Sequence, residues 1–143
     1  MKKLIHRRQR VLRVRHVQHA QALADAVRAR DEAKSLEDNA ERLRSVRQEL
    51  LSTEGMTTGG SFAAHGELVM RLDNAGRQLD GAIFDAKRKV DQKEGLRLVA
   101  NREREIAGRL KERAVKALED YRELQVQALP RAGTAVSRSE KEA

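Results

Sequence analysis

Apolar side chains recur at three- and four-residue spacing along two long stretches of the chain. This spacing keeps side chains on one face of a helix, so it predicts two amphipathic helices, over residues 4–53 and 62–129. The apolar positions of the first are Leu12, Leu23, Ala26, Ala33, Leu36, Ala40, Leu43 and Leu50. Those of the second are Leu68, Leu72, Ala75, Leu79, Ala82, Ala86, Val90, Ile106, Leu110, Ala114, Ala117, Tyr121, Leu124 and Ala128.

The only break in the helical pattern before Pro130 is the segment from Gly55 to Gly66, which holds four of the nine glycines. Glycine clusters favour chain reversals, and a Gly directly after Glu54 is typical of a helix end. Ser61 is suited to cap the next helix. We therefore expect a turn over residues 54–61 and an all-α fold, an antiparallel coiled-coil hairpin that forms one domain over residues 1–129.

The composition is that of a helical rod rather than a globular domain. Charged residues make up 36% of the chain and aromatic residues 2%, which leaves little bulk for a round core. Cysteine is absent, which fits a reducing compartment, and the apolar runs are too short to span a bilayer. A cytoplasmic location follows as an expectation. The polar residues 130–143, after the helix-stopping Pro130, predict a disordered tail.

The positive charge is concentrated near the N-terminus. Residues 1–30 carry nine Lys or Arg and one acid, whereas residues 31–54 carry four bases and seven acids. A localised field of this kind predicts a partner with an acidic surface.

Candidate catalytic and metal chemistry is weak in this sequence. Acids and bases four residues apart, such as Asp38 with Arg42, are typical of solvated helix surfaces. His16 and His19 lie three residues apart on one helical face, but no cysteine or nearby carboxylate completes a metal shell. Phosphate-binding loops and activated nucleophiles are missing. We therefore expect a protein that is not an enzyme and has no cofactor.

The basic stretch from Lys2 to Arg15 leaves three interpretations open. It is a docking site for an acidic protein, a contact for nucleic-acid phosphates, or a solvated helix face. Interleaved aromatic residues that would stack on bases are absent, which disfavours single-strand binding. A basic coiled-coil protein associated with nucleic acid stays the alternative function.

Three segments resemble the FliJ/YscO family, the stalk proteins of flagellar and injectisome type III export. They are the basic opening LIHRRQRVLRVRHVQHAQALADA, the tip LLSTEGMTTGGSFAAHGELVMRLDNA and the charged ending ANREREIAGRLKERAVKALEDYRELQ. The resemblance covers about residues 4–125. The tip is its most specific part, because a turn with Gly and Met is followed by an aromatic- and leucine-containing helix start.

The resemblance implies a non-enzymatic hairpin whose helix termini enter the pore of a hexameric export ATPase. It further implies contact with the cytoplasmic part of the membrane export gate near the turn, export chaperones as additional partners, and a peripheral position at the inner membrane. The implied gate contact consists of Leu68, Leu72, Ala75 and Leu79. The implied ATPase contact consists of Arg7, Arg8, Arg10 and Arg13, with Arg109, Lys111 and Arg113 opposite.

The chain departs from the family pattern before the turn. Members that dock on the gate often carry tyrosines there, whereas this chain reads ERLRSVRQELL. Either Leu43, Val46 and Leu50 replace the tyrosines, or the first helix contributes less to the gate contact.

Overall fold

Two long α-helices pack against each other as a hairpin. The structure, a computed structural model, describes residues 1–52 and 59–130. Helix α1 is Lys2–Ser52 and helix α2 is Gly59–Ala128, with no strand in the described ranges. Interhelical ion pairs connect the two helices. The prediction of an all-α helical hairpin is therefore confirmed.

The helix boundaries differ from the predicted ones mainly at the start of α2. This helix begins at Gly59, so Ser61 lies inside its first turn and the prediction that Ser61 caps it is wrong. Glycine tolerates helical dihedral angles at a modest cost in free energy, and Gly59 and Gly60 are helical here. The rest of the predicted turn, with Gly55, and the predicted tail from residue 131 onward lie outside the described residues.

The chain divides into two compact units, which the prediction of a single hairpin domain did not anticipate. Unit 1 combines Met1–Val17 with the part of α2 from Arg102 onward. Unit 2 is Gln18–Asn101.

The helices of unit 2 meet along a seam with an uninterrupted heptad repeat. All its positions are buried or half-buried, with Ala26 completely inaccessible. On α1 the a positions are His19, Ala26, Ala33, Ala40 and Arg47, and the d positions are Ala22, Ala29, Leu36, Leu43 and Leu50. On α2 the a positions are Val69, Gly76, Ile83, Val90 and Arg97, and the d positions are His65, Leu72, Leu79, Ala86, Lys93 and Ala100. Seams of this spacing are the signature of a coiled coil.

Ion pairs beside the seam of unit 2 show that the two helices are antiparallel. Moving along α1 from Glu32 to Glu37 and Arg47, the charged partner on α2 moves backward from Lys89 to Lys87 and Asp73. Glu32 and Lys89 both occupy g positions, whereas Glu37 and Lys87 both occupy e positions. In this coiled coil, g positions therefore share one side of the hairpin and e positions share the other.

The seam of unit 1 also follows a heptad repeat and is more polar. Its buried residue is Ala107, and Leu12 packs near Gly108. The half-buried seam positions on α1 are Ile5, Arg8, Leu12 and Arg15, and those on α2 are Arg104, Lys111, Ala114 and Leu118. Cations at a and d positions reduce the apolar area that this unit buries, so its pairing depends more on charge.

Several residues that the spacing placed in the seam of α2 are exposed. Ile106 is 49% exposed and Leu124 is 64% exposed, and every described residue from Tyr121 onward is exposed. The predicted stripe held mainly d and g positions, with Val90 at an a position and Ile106 at a c position, whereas the observed seam combines d and a positions. Most a positions escaped notice because α2 places Gly76, Arg97, Arg104 and Lys111 among them.

Two glycines of α2 face apolar side chains of α1. A Cβ at Gly76 would lie 3.7 Å from Leu43 Cδ2, and one at Gly108 would lie 3.9 Å from Leu12 Cδ1. Both distances are ordinary van der Waals contacts, so close helix approach does not require glycine at either position. Glycine instead costs helix stability there relative to alanine.

Gly76→Ala is expected to raise the free energy of unfolding by about 1 kcal/mol, because alanine favours the helix and its methyl group fits against Leu43. Urea denaturation followed by circular dichroism measures the change. Gly81→Ala is the matched control, since a Cβ there meets no atom within 4 Å and gains the same propensity. Destabilisation by Gly76→Ala alone would mean that the helices approach more closely than described.

A three-residue charge cluster crosses the seam of unit 2 at Glu94. Arg97 Nε donates a hydrogen bond to Glu94 Oε2 at 2.9 Å, and Arg30 donates to Oε1. The hydrogen bond from Arg97 is the main reason why the pKa of Glu94 is lowered, and the positive charges of Arg30 and Arg97 act in the same direction. Partial desolvation opposes the shift. Because the pKa is lower in the folded state, this carboxylate stabilises unit 2 above its unfolded-state pKa and loses that effect as the pH falls through its folded-state pKa.

Arg97→Gln is expected to raise the pKa of Glu94, because it removes a charge and the strongest hydrogen bond to the carboxylate. A ¹³C NMR titration of the Glu94 carboxyl carbon measures this directly. Arg71→Gln breaks the ion pair of Arg71 with Glu67 and should leave the titration of Glu94 unchanged. An unaltered Glu94 titration in Arg97→Gln would rule out the described cluster in solution.

Candidate functional site

The seven basic residues of the implied ATPase contact all belong to unit 1. Arg8 and Lys111 are half-buried seam residues, at a d and an a position respectively. The exposed members of the set are Arg7, Arg10, Arg13, Arg109 and Arg113. The fold therefore brings the two groups, which are about a hundred positions apart in the chain, into one compact unit.

Unit 1 contains the whole positive excess of the described chain. Residues 1–17 carry seven Lys or Arg and no acid, and residues 102–130 carry seven bases and six acids, which gives a net charge of +8. Residues 18–101 carry thirteen bases and fourteen acids, a net of −1. The charge asymmetry seen along the sequence is thus a property of one structural unit.

Ion pairs join the helices of unit 2 at several levels. Arg47 Nε lies 2.6 Å from Asp73 Oδ1, and Lys87 Nζ lies 3.2 Å from Glu37 Oε1. Such partly exposed pairs contribute little stability individually. The near-zero net charge of this unit leaves only a weak field for a charged partner.

The arginines near the N-terminus lack such compensation. In unit 1, Arg15 Nη1 lies 2.7 Å from Glu103 Oε2. Within the described ranges, by contrast, Arg7, Arg8, Arg10 and Arg13 form no ion pair. The first turn of α1 contains no acidic residue either, so the positive end of the helix dipole adds to the same field. These arginines are available to an external anion.

The seam of unit 1 places cations on both helices. Arg8 and Arg15 occupy d positions of α1, while Arg104 and Lys111 occupy a positions of α2. Like charges held half-buried along one seam repel one another, and Glu103 offsets this repulsion beside Arg15. An acidic partner that approaches the seam would relieve this repulsion, so charge favours binding at this unit.

The implied gate contact lies in unit 2 and is only partly accessible. Leu68 is 43% exposed, whereas Leu72 and Leu79 are half-buried at d positions of the seam. Leu72 lines a groove together with Ala40 and Leu43 of α1. Ala75 is half-buried at a g position beside the seam. The structure therefore places two of the four residues in the helix interface rather than on a free surface.

Among the proposed replacements for tyrosine on α1, only one side chain is exposed. Val46 is exposed at a g position, whereas Leu43 and Leu50 are half-buried d residues of the seam. Because g positions of both helices share one side, Val46 and Ala75 belong to the same face of unit 2. Val46 is therefore the best-placed α1 residue for a contact on that face.

Exposed apolar residues also lie next to the basic ones in unit 1. The sequence interpretation missed Val11 and Val14 and assigned Ile106 to the seam, and all three are exposed. These residues can be told apart from seam residues only when the register of the coiled coil is known. That register depends on both helices. The spacing of Leu4, Val11 and Val14 was the available signal.

The described residues offer no metal centre and no membrane span. No group of three or more His, Cys, Asp or Glu side chains in residues 1–52 and 59–130 could hold a metal ion. Neither helix, over its described length, is apolar enough to cross a membrane.

A scan against protein-family models and searches of curated proteins and solved structures find no match to the chain.

Proposed function

We propose that this chain is a non-enzymatic stalk and coupling component of a type III protein export apparatus. The observation that carries the proposal is the confinement of the net positive charge to unit 1, where both ends of the hairpin's sequence meet. The hairpin fold and the resemblance of the opening, tip and ending to the FliJ/YscO family support it further.

Unit 1 binds the hexameric export ATPase through its basic side chains. Arg7, Arg10, Arg13, Arg109 and Arg113 are the exposed candidates, and Arg8 and Lys111 act from the seam. Uncompensated arginines speed association with an acidic surface and fix its orientation. The contact should accordingly weaken as the salt concentration rises.

Unit 2 contacts the cytoplasmic part of the membrane export gate through apolar side chains. Leu68 and Val46 are accessible for this contact, and Ala75 lies on the same face as Val46. Leu72 and Leu79 support the contact from the seam by holding α2 in place. Export chaperones are a further partner class, and the protein is peripheral to the inner membrane through these partners.

Binding of duplex nucleic acid is the second candidate function. The run of seven cations without an acid in residues 1–17 favours it, because such a run forms a phosphate grip whose strength falls steeply with salt. Phosphate contacts alone give little sequence specificity. Both functions require an anionic partner and weaken as the salt concentration rises, so they are separated by offering the ATPase and duplex DNA in parallel across the same salt series.

The proposed function predicts that the purified chain stimulates ATP hydrolysis by the export ATPase of the same organism. The triple variant Arg7→Gln, Arg10→Gln, Arg13→Gln should lose most of this stimulation, because three exposed charges that meet the ATPase are removed. Initial hydrolysis rates across a salt series measure the effect.

The matched control is the triple variant Arg42→Gln, Arg44→Gln, Arg88→Gln, which removes the same charge from exposed positions of unit 2. It should stimulate like the parent chain. Equal loss of stimulation in both variants would show that stimulation depends on the net charge of the chain and not on these three arginines. Absence of stimulation together with salt-sensitive retention of duplex DNA would favour the nucleic-acid function instead.

A further inference from the structure

One side of unit 1 carries a strip of aliphatic side chains that the seam leaves uncovered. Leu4 and Val11 occupy g positions of α1, and Leu110 occupies a g position of α2. Val14 and Ile106 occupy the adjacent c positions and are 53% and 49% exposed. These five residues form what we call the unit 1 strip.

The residues of the strip share one side because of the register of the coiled coil. In unit 2 the g residue Glu32 meets the g residue Lys89, and the e residue Glu37 meets the e residue Lys87. Within unit 1, the buried and half-buried seam residues of each helix follow the same alternation of a and d positions. Val11 precedes the seam residue Leu12, and Leu110 precedes Lys111, so the two aliphatic g residues flank the seam on one side.

Three acidic residues of α2 lie on the other side of unit 1, whereas on the strip side Glu103, a g residue, pairs with Arg15 and Asp120 occupies a c position. Glu105, Glu112 and Glu119 recur every seven residues at b positions, next to the e side. Glu112 and Glu119 line a groove together with Gly108, an e residue. The strip is bordered instead by Arg7 and Arg113, each three residues from a strip leucine on its own helix.

This combination of apolar and basic groups specifies the occupant of the strip. Two parallel rows of aliphatic side chains on adjacent helices suit a third helix laid along them, with its apolar face toward the strip. The arginine border and the net charge of +8 on this unit favour acidic residues at the edges of that helix. A second copy of unit 1 would instead bring two strongly positive surfaces together, which opposes self-association.

We propose that the unit 1 strip is a docking site for an acidic amphipathic helix of a partner protein. Leu4, Val11, Val14, Ile106 and Leu110 receive its apolar face, and Arg7 and Arg113 pair with its carboxylates. The site would hold such a helix whether or not the chain acts as an export stalk.

The test uses the full chain and two synthetic helical peptides. Both peptides carry leucine at every a and d position, and their e and g positions carry glutamate in one and lysine in the other. Fluorescence anisotropy should detect binding of the glutamate peptide only. The double variant Val14→Gln, Ile106→Gln should weaken that binding about tenfold, the change expected when two aliphatic side chains no longer become buried.

The matched control is the double variant Val17→Gln, Val126→Gln, which alters exposed valines of unit 1 outside the strip. It should bind the glutamate peptide as tightly as the parent chain, and circular dichroism should show equal helicity in both variants. Equal weakening in both variants, or none in either, would overturn the proposal. The proposal would also be overturned if the chain failed to bind the glutamate peptide but bound vesicles of phosphatidylcholine and phosphatidylserine through the strip. That result would identify an anionic lipid surface as the partner instead.

Discussion

Close packing of small side chains between two antiparallel helices is the constraint on which the rest of the structure depends. The residues with the lowest exposure are all alanines, and Ala26 is completely inaccessible. Alanine gains little from burial, since the hydrophobic contribution scales with the apolar area removed from water. Its small size instead allows the helices to lie close together. Every other feature, from the ion pairs to the exposed strip, follows from the register that this packing imposes.

The same register sorts the charges of the chain into two environments. In unit 2 it places Glu32 opposite Lys89 and Glu37 opposite Lys87, so positive and negative side chains cancel. In unit 1 the first seventeen residues contain no acid that could do the same. A protein that kept its charge only for solubility would have no need to collect it in one unit. This segregation is the basis on which we propose an acidic partner for unit 1.

Much of the fold could be predicted from the sequence, because helix formation depends on local residue types. Leu36, Ala40 and Leu43 were assigned to the seam of α1 by spacing alone, and the structure places them there. On α2 the spacing of aliphatic residues was misleading, since Leu68 and Ile106 follow it but are exposed. Which of two possible stripes is buried depends on the opposite helix, and a single helix sequence does not contain that information. The residues of the implied gate contact were chosen by spacing, so some of them are buried in the seam. The basic contact was less affected, because the net charge of a segment does not depend on the register of the coiled coil.

The most direct test of the account is a cross-link between the two helices at one level of the seam. The chain has no native cysteine, so Leu43→Cys with Gly76→Cys introduces a unique thiol pair. A mixture of ¹⁴N- and ¹⁵N-labelled protein is treated with a short bifunctional thiol reagent. Mass spectrometry then identifies the cross-linked peptides and their labels. The antiparallel hairpin predicts a link within one chain, with both peptides carrying the same label, and none for the pair Leu43→Cys with Phe84→Cys. A link between chains, seen as peptides with mixed labels, would contradict the intramolecular seam. It would also contradict the register from which the exposed and buried faces of the hairpin are assigned.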